Sequence, residues 1–155
     1  MSVQLSRNLP PHWSCVREIR TEVTQALGAY SSAVRYAAMM TSSELLENAV
    51  KYGETVRQAP VIQFGMSANS KLIEINVSNG STRVERVLEL KRHVEEITAA
   101  QDRSAMYFSR LRELVNEPNQ GSKLGIYRIV FEGEFDLEVA FADEVVTVSA
   151  KRVVG

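Results

Sequence analysis

Hydrophobic positions change their period along the chain, and each change marks an element. Val16, Ile19, Val23 and Leu27 recur at the spacing of an amphipathic helix. Ser14 is placed to cap the start of that helix, and Gly28 stops it. Ser31 or Ser32 restarts a helix through Ala33–Tyr52, a stretch without Gly or Pro that ends at Gly53. Upstream, Pro10-Pro11 breaks regular structure, so residues 1–13 read as an arm or an edge strand.

The period then shortens to two. VIQFGMSA and KLIEINVSN alternate around a polar Asn69-Ser70 turn and predict an antiparallel hairpin. From Arg83 to Val115 the helical period returns. Val87, Leu90, Val94, Ile97, Phe108, Leu111 and Val115 form its stripe, on one long helix or on two with a break near Ala99–Ser104. Asn116–Ser122 is a loop by composition, and LGIYRIVFEG is an ambiguous apolar run placed as a short helix. FDLEVAFADEVVTVSAKRV predicts a second hairpin around Ala142-Asp143. Helices alternating with hairpins in this order predict an α+β fold. Its form is a two-layer α/β sandwich with helices on one face of a mixed, mainly antiparallel sheet. The domain expectation is an arm over 1–13 and one domain over 14–155, with a largely helical insert over 83–120.

Composition narrows the function. The 155 residues are 45% hydrophobic and 24% charged, which suits a single globular domain. Lys plus Arg is 18 and Asp plus Glu is 19, a net charge of 18 − 19 = −1. Such a balance argues against a nucleic-acid-coating protein, whose surface must neutralise phosphate. One Cys, Cys15, allows no intrachain disulfide and fits a reducing compartment. His12, His93 and Cys15 are too few for a His/Cys zinc site. No apolar run is long enough to span a membrane, and MSVQLSRNLPPHWS lacks an apolar signal core, so a cytoplasmic location is expected.

The candidate chemistry centres on SELLENAVKYG at Ser43–Gly53. Glu44, Asn48 and Lys51 are spaced to share one helix face. A carboxylate can take a proton from a hydroxyl, an amide oxygen suits Mg²⁺, and an ammonium neutralises phosphate. The plainer reading is a solvated Glu44 and an ordinary Glu47–Lys51 surface pair. Asn79-Gly80 ends an alternating strand and is also a turn signal. Gly121-Ser122-Lys123-Leu124-Gly125 is a short Gly-bearing loop opening a helix, whose first amides favour phosphate. His93 reads as a solvated position on a charged helix rather than a phosphoacceptor. Cys15, Met39, Met40 and Met106 read as core filling, and Trp13 as an anchor for the arm or for a second subunit.

These motifs together resemble the GHKL ATPases, the superfamily of histidine-kinase catalytic domains, gyrase B and anti-sigma-factor kinases. Glu44, Asn48-Ala49 and Lys51-Tyr52 match the pattern of its N-box. Asn79-Gly80 stands where the family has an adenine-reading Asp-Gly, and Gly121–Ile126 stands where it has Gly-x-Gly-Leu-Gly-Leu, with Lys123 in place of the middle Gly. The order of elements over about residues 14–152 is similar too, and small stand-alone serine/threonine kinases of bacterial partner switching are the nearest in look. The resemblance implies a GHKL (Bergerat-type) fold, ATP and Mg²⁺. Glu44 would be the general base and Asn48 the Mg²⁺ ligand. Lys51, Asn79, Gly80, Gly121, Lys123, Leu124 and Gly125 would contact nucleotide, and 83–115 would serve as lid or docking surface. It implies a regulatory protein partner, similar to an anti-sigma antagonist or a sigma factor, and a homodimer, with no role for nucleic acid or membrane. Two rival expectations are a degenerate adaptor without catalysis, marked by Asn79 and Lys123, and a catalytic domain acting on a separate His-bearing chain.

Overall fold

A computed structural model describes residues 2–116 and 121–155, with side chains at 2–113 and 124–155. Ten elements follow one another. They are β1 (Val3–Leu9), α1 (Ser14–Ala26), α2 (Ser32–Tyr52), β2 (Ile62–Ala68), β3 (Leu72–Gly80), α3 (Val84–Ala99), α4 (Arg103–Asn116), α5 (Gly121–Phe131), β4 (Asp136–Ala142) and β5 (Val145–Val153). The strands form one open sheet in the order β1-β2-β3-β5-β4. Every pairing among the described residues is antiparallel, so the expected mixed sheet is corrected to an antiparallel one. The architecture is α+β, with the N-terminal segment taking the edge-strand alternative. No helix among the described residues is long and apolar enough to cross a membrane.

Strand alternation divides the sheet into two faces. The register aligns Met66, Ile75, Ala150 and Leu137 in one row, and all four are buried. The next row, Gly65, Asn76, Ser149 and Glu138, is polar or small and lies on the opposite face. Helix α1 and its C-cap Leu27 bury the predicted stripe, with Val16, Ile19 and Val23 on the helix itself. Helix α2 is the central helix. Its Ala37, Ala38, Thr41, Ser42, Leu46 and Ala49 are buried, and small side chains let neighbours approach it from several sides. It packs on α1, α5 and β3.

Local chemistry explains most boundaries. Ser31 caps α2, its hydroxyl accepting from the Val34 amide at 3.3 Å. Asn69 Oδ1 accepts from the Lys71 and Leu72 amides and closes the β2–β3 turn. Asp143 and Glu144 both adopt positive φ, the conformation of the tightest hairpin turns, between β4 and β5.

Three expectations are corrected. Ser14 does not cap α1. It is the first helical residue, and its amide is taken by His12 Nδ1 at 3.2 Å. Phe108 is exposed, and Tyr107 is the buried aromatic of α4, stacked on Phe131 with centroids 4.5 Å apart. The break between α3 and α4 resets the helical phase, so one stripe cannot run through both. Gly121 and Gly125 belong to α5 itself rather than to a loop, while positions 117–120 of the expected loop lie outside the described residues.

Candidate functional site

A cavity of about 500 Å³ lies between α2, α3, α5 and the helix-facing side of the sheet. That volume is in the range of small-molecule sites. Its floor is Val77 of β3 with Val146 and Val148 of β5, and Leu45, Ala49, Val87, Leu90 and Ile126 supply its apolar walls. Such a lining favours a weakly hydrated group. Polar side chains enter at a few points, among them Asn48, Asn79 and Ser81.

Asn79 reaches the cavity through strand parity. Ile73, Ile75 and Val77 point to the helix layer, and Asn79 continues that alternation. Asn79 and Gly80 pair with Val146 and Val145, so they are strand residues and not a turn. The Asn79 amide nitrogen donates to the Gly80 carbonyl at 3.0 Å, which leaves its oxygen as the acceptor. Gly53 ends α2 with φ −72°, outside the left-handed region expected of a glycine stop. The reason for glycine there is space, since a Cβ would overlap the Ala49 carbonyl oxygen and lie 2.9 Å from Asn79 Nδ2. Gly80 is buried under the Glu54–Val56 strap and lines a smaller cavity of about 240 Å³ on the other side of Asn79.

The remaining predicted residues divide. Asn48 and Asn79 share the large cavity. Lys51 is exposed, with its ammonium 5.2 Å from the Tyr52 ring centroid, and is not a lining residue. Leu124 is half-buried against the core. The Lys123 side chain lies outside the described residues. Glu44 does not line the cavity. It turns toward α5, where Arg128 Nη1 donates to its Oε1 at 2.8 Å. Its carboxylate rests against Gly125, and a Cβ at that position would overlap Oε2. Burial pushes the Glu44 pKa up, Glu47 adds to the rise, and Arg128 opposes it. No group of three or more acidic, His or Cys side chains suited to a metal occurs among the described residues. Asn48 is thus the predicted protein ligand facing the cavity, and a Mg²⁺ there would draw its other ligands from phosphate and water.

Sequence reasoning missed the contribution of α3. Arg86, Glu89 and His93 line the cavity beside Val87 and Leu90. His93 therefore leaves its expected solvated face. Both its ring nitrogens are shielded, at 3.7 Å from Glu89 Oε1 and 4.0 Å from Glu96 Oε2. Arg86 of α3 lies 5.6 Å over the ring of Tyr52, the last residue of α2. The i, i+7 spacing of Arg86 and His93 was a signal that both ride the apolar stripe.

The entry to α3 is tied to the end of α2. Glu54 accepts from the Thr82 amide at 3.1 Å and the Thr82 hydroxyl at 2.7 Å, and these bonds hold its carboxyl below the usual range. A depressed folded pKa contributes stability that is present above the unfolded pKa and lost as pH falls through the folded one. Glu54→Gln is expected to lower the thermal midpoint at neutral pH. The gap from wild type should close as the pH falls below the usual carboxylate range and through the lowered folded pKa. Unfolding curves across that range check it.

No protein-family model matches the chain, and no curated protein matches it in sequence. The resemblance to the GHKL ATPases therefore rests on the motif residues of the sequence alone.

Proposed function

We propose that the protein is an ATP-binding regulatory protein of the GHKL type, similar to anti-sigma-factor serine/threonine kinases and expected to act in the cytoplasm on a regulatory protein partner. One observation carries the reading. Asn48 and Asn79 come from separate motifs on α2 and β3, and they line the same cavity. In this reading the apolar slot over Val77, Val146 and Val148 takes the adenine ring. The Asn79 oxygen accepts from the adenine amino group, without the charge assistance an Asp would give. Asn48 would hold the Mg²⁺, which would supply neutralisation of triphosphate charge.

Transfer follows from positioning. A partner hydroxyl attacks the γ-phosphorus, its oxygen forming the new bond. The bond to the β,γ-bridging oxygen breaks, and that electron pair leaves on ADP. Glu44 takes the hydroxyl proton. Its raised pKa makes it a stronger base once ionised, but the Arg128 bond must first yield.

The test uses the full chain with γ-labelled ATP, Mg²⁺ and candidate partner proteins encoded beside it. Acid-stable label on a partner, lost in Glu44→Gln, is the expected result. Acid-labile label would favour transfer to His. No ATP binding and no transfer would favour the degenerate adaptor, in which Asn79 and Lys123 mark a lost nucleotide site.

A further inference from the structure

Glu44 sits in a place built to keep it. Gly125 leaves the surface of α5 open where the carboxylate rests. Arg128, one turn later on the same helix, clasps Oε1 through Nη1 at 2.8 Å. The same guanidinium donates through Nε to Glu132 Oε2 at 2.9 Å. Glu132 Oε1 in turn accepts from the Tyr107 hydroxyl of α4 at 3.0 Å. Arg128 is thus shared between two carboxylates, and losing Glu44 would not leave it unpaired. Exchange between partners costs less than breaking a lone buried pair.

We propose that Arg128 is a positioning residue that holds Glu44 off the cavity, and that release of Glu44 to the cavity readies the site for phosphoryl transfer. The proposal rests on the reading of the cavity as an ATP site with Glu44 as its base. The chain from Tyr107 through Glu132 to Arg128 makes α4 and α5 the elements that set the latch. A shift of α4 that strengthens the Glu132–Arg128 bond weakens the hold on Glu44. Neither Arg128 nor Glu132 lines the cavity, so the latch acts on turnover and leaves nucleotide affinity alone.

The two arms of the clasp give opposite effects. Arg128→Met keeps the aliphatic stem and frees Glu44. Glu132→Gln gives the guanidinium wholly to Glu44, and Glu132 is exposed, so its replacement leaves the core untouched. Single-turnover transfer at saturating Mg-ATP and mildly alkaline pH should rise about tenfold in Arg128→Met and fall in Glu132→Gln. ATP affinity by calorimetry should stay within about twofold in both. The acid limb of the rate profile should move to higher pH in Arg128→Met, because the cation that favours the Glu44 carboxylate is gone while Glu47 and Glu132 still face it. Tyr36 of α2 lies near Arg128 and belongs to the same setting. Rates that are unchanged, or that fall in both variants, with ATP still bound overturn the latch alone. No ATP binding by wild type or either variant overturns the cavity reading and the latch with it.

Discussion

Asn48→Ala is expected to abolish stabilisation by Mg-ATP while the protein stays folded. A ligand that binds only the folded state adds RT ln(1 + [L]/Kd), about 2.7 kcal/mol at a hundred times Kd. In wild type that gain should appear as a rise in the unfolding midpoint with Mg-ATP. It should be smaller with ATP and a chelator, because the Asn48 oxygen acts through the metal. In the variant the rise disappears. The fold survives because Asn48 is only half-buried and Ala is the best helix former at a position inside α2. Lys51→Ala is the natural comparison. Lys51 is exposed and off the cavity wall, so its loss should trim the shift and not remove it. A full Mg-ATP shift in Asn48→Ala would refute the assignment of that residue.

Gly80→Ala carries the second large effect, on stability and on the site together. A Cβ at position 80 would overlap the Glu54 carbonyl oxygen and press on the Val56 side chain. The Glu54–Gly80 bridge is held by the Glu54 amide donating to the Gly80 carbonyl at 2.8 Å. A backbone carbonyl cannot rotate away like the end of a long side chain, so the strap must lift from β3. Overpacking of this kind costs about 1–3 kcal/mol, and the upper end is expected here. The lift reaches Asn79, whose amide nitrogen bonds the Gly80 carbonyl, so nucleotide affinity should fall as well. Gly65→Ala, also in the sheet, meets nothing within 4 Å and should be close to neutral. Urea unfolding of the two variants, with the midpoint moving at constant slope for Gly80→Ala only, checks the argument.

Where the sequence was legible, the information was local. The α1 stripe and both hairpins follow from residues within a few positions of one another, while the pattern leaves two alternatives for the α2 cap (Ser31 or Ser32) and for 83–115 (one helix or two). The motifs single out Asn48 and Asn79, which line one cavity, and strand parity gives an independent reason for Asn79 to face the helices. Failures came where phase or distance decides. The α4 register does not carry over from α3, so a stripe drawn through Phe108 misses the buried Tyr107. The fate of Glu44 depends on Arg128, 84 positions away. Nothing in the short-range pattern around either residue marks that pairing. Gly125 looked like part of a phosphate loop, yet in the fold its missing side chain makes room for the Glu44 carboxylate. His93 on a charged helix looked solvated because four of its neighbours at 91, 92, 95 and 96 are charged, although its own face is the one turned to the cavity.

The central claim is that the slot between α2, α3 and the sheet is an adenine-nucleotide site. Isothermal titration of the full chain with ATP, with and without Mg²⁺, tests it most directly. The account predicts saturable binding of one nucleotide per chain, strengthened by Mg²⁺ and weakened by Asn79→Leu. No heat of binding at millimolar ATP, with the protein folded and Mg²⁺ present, would contradict it.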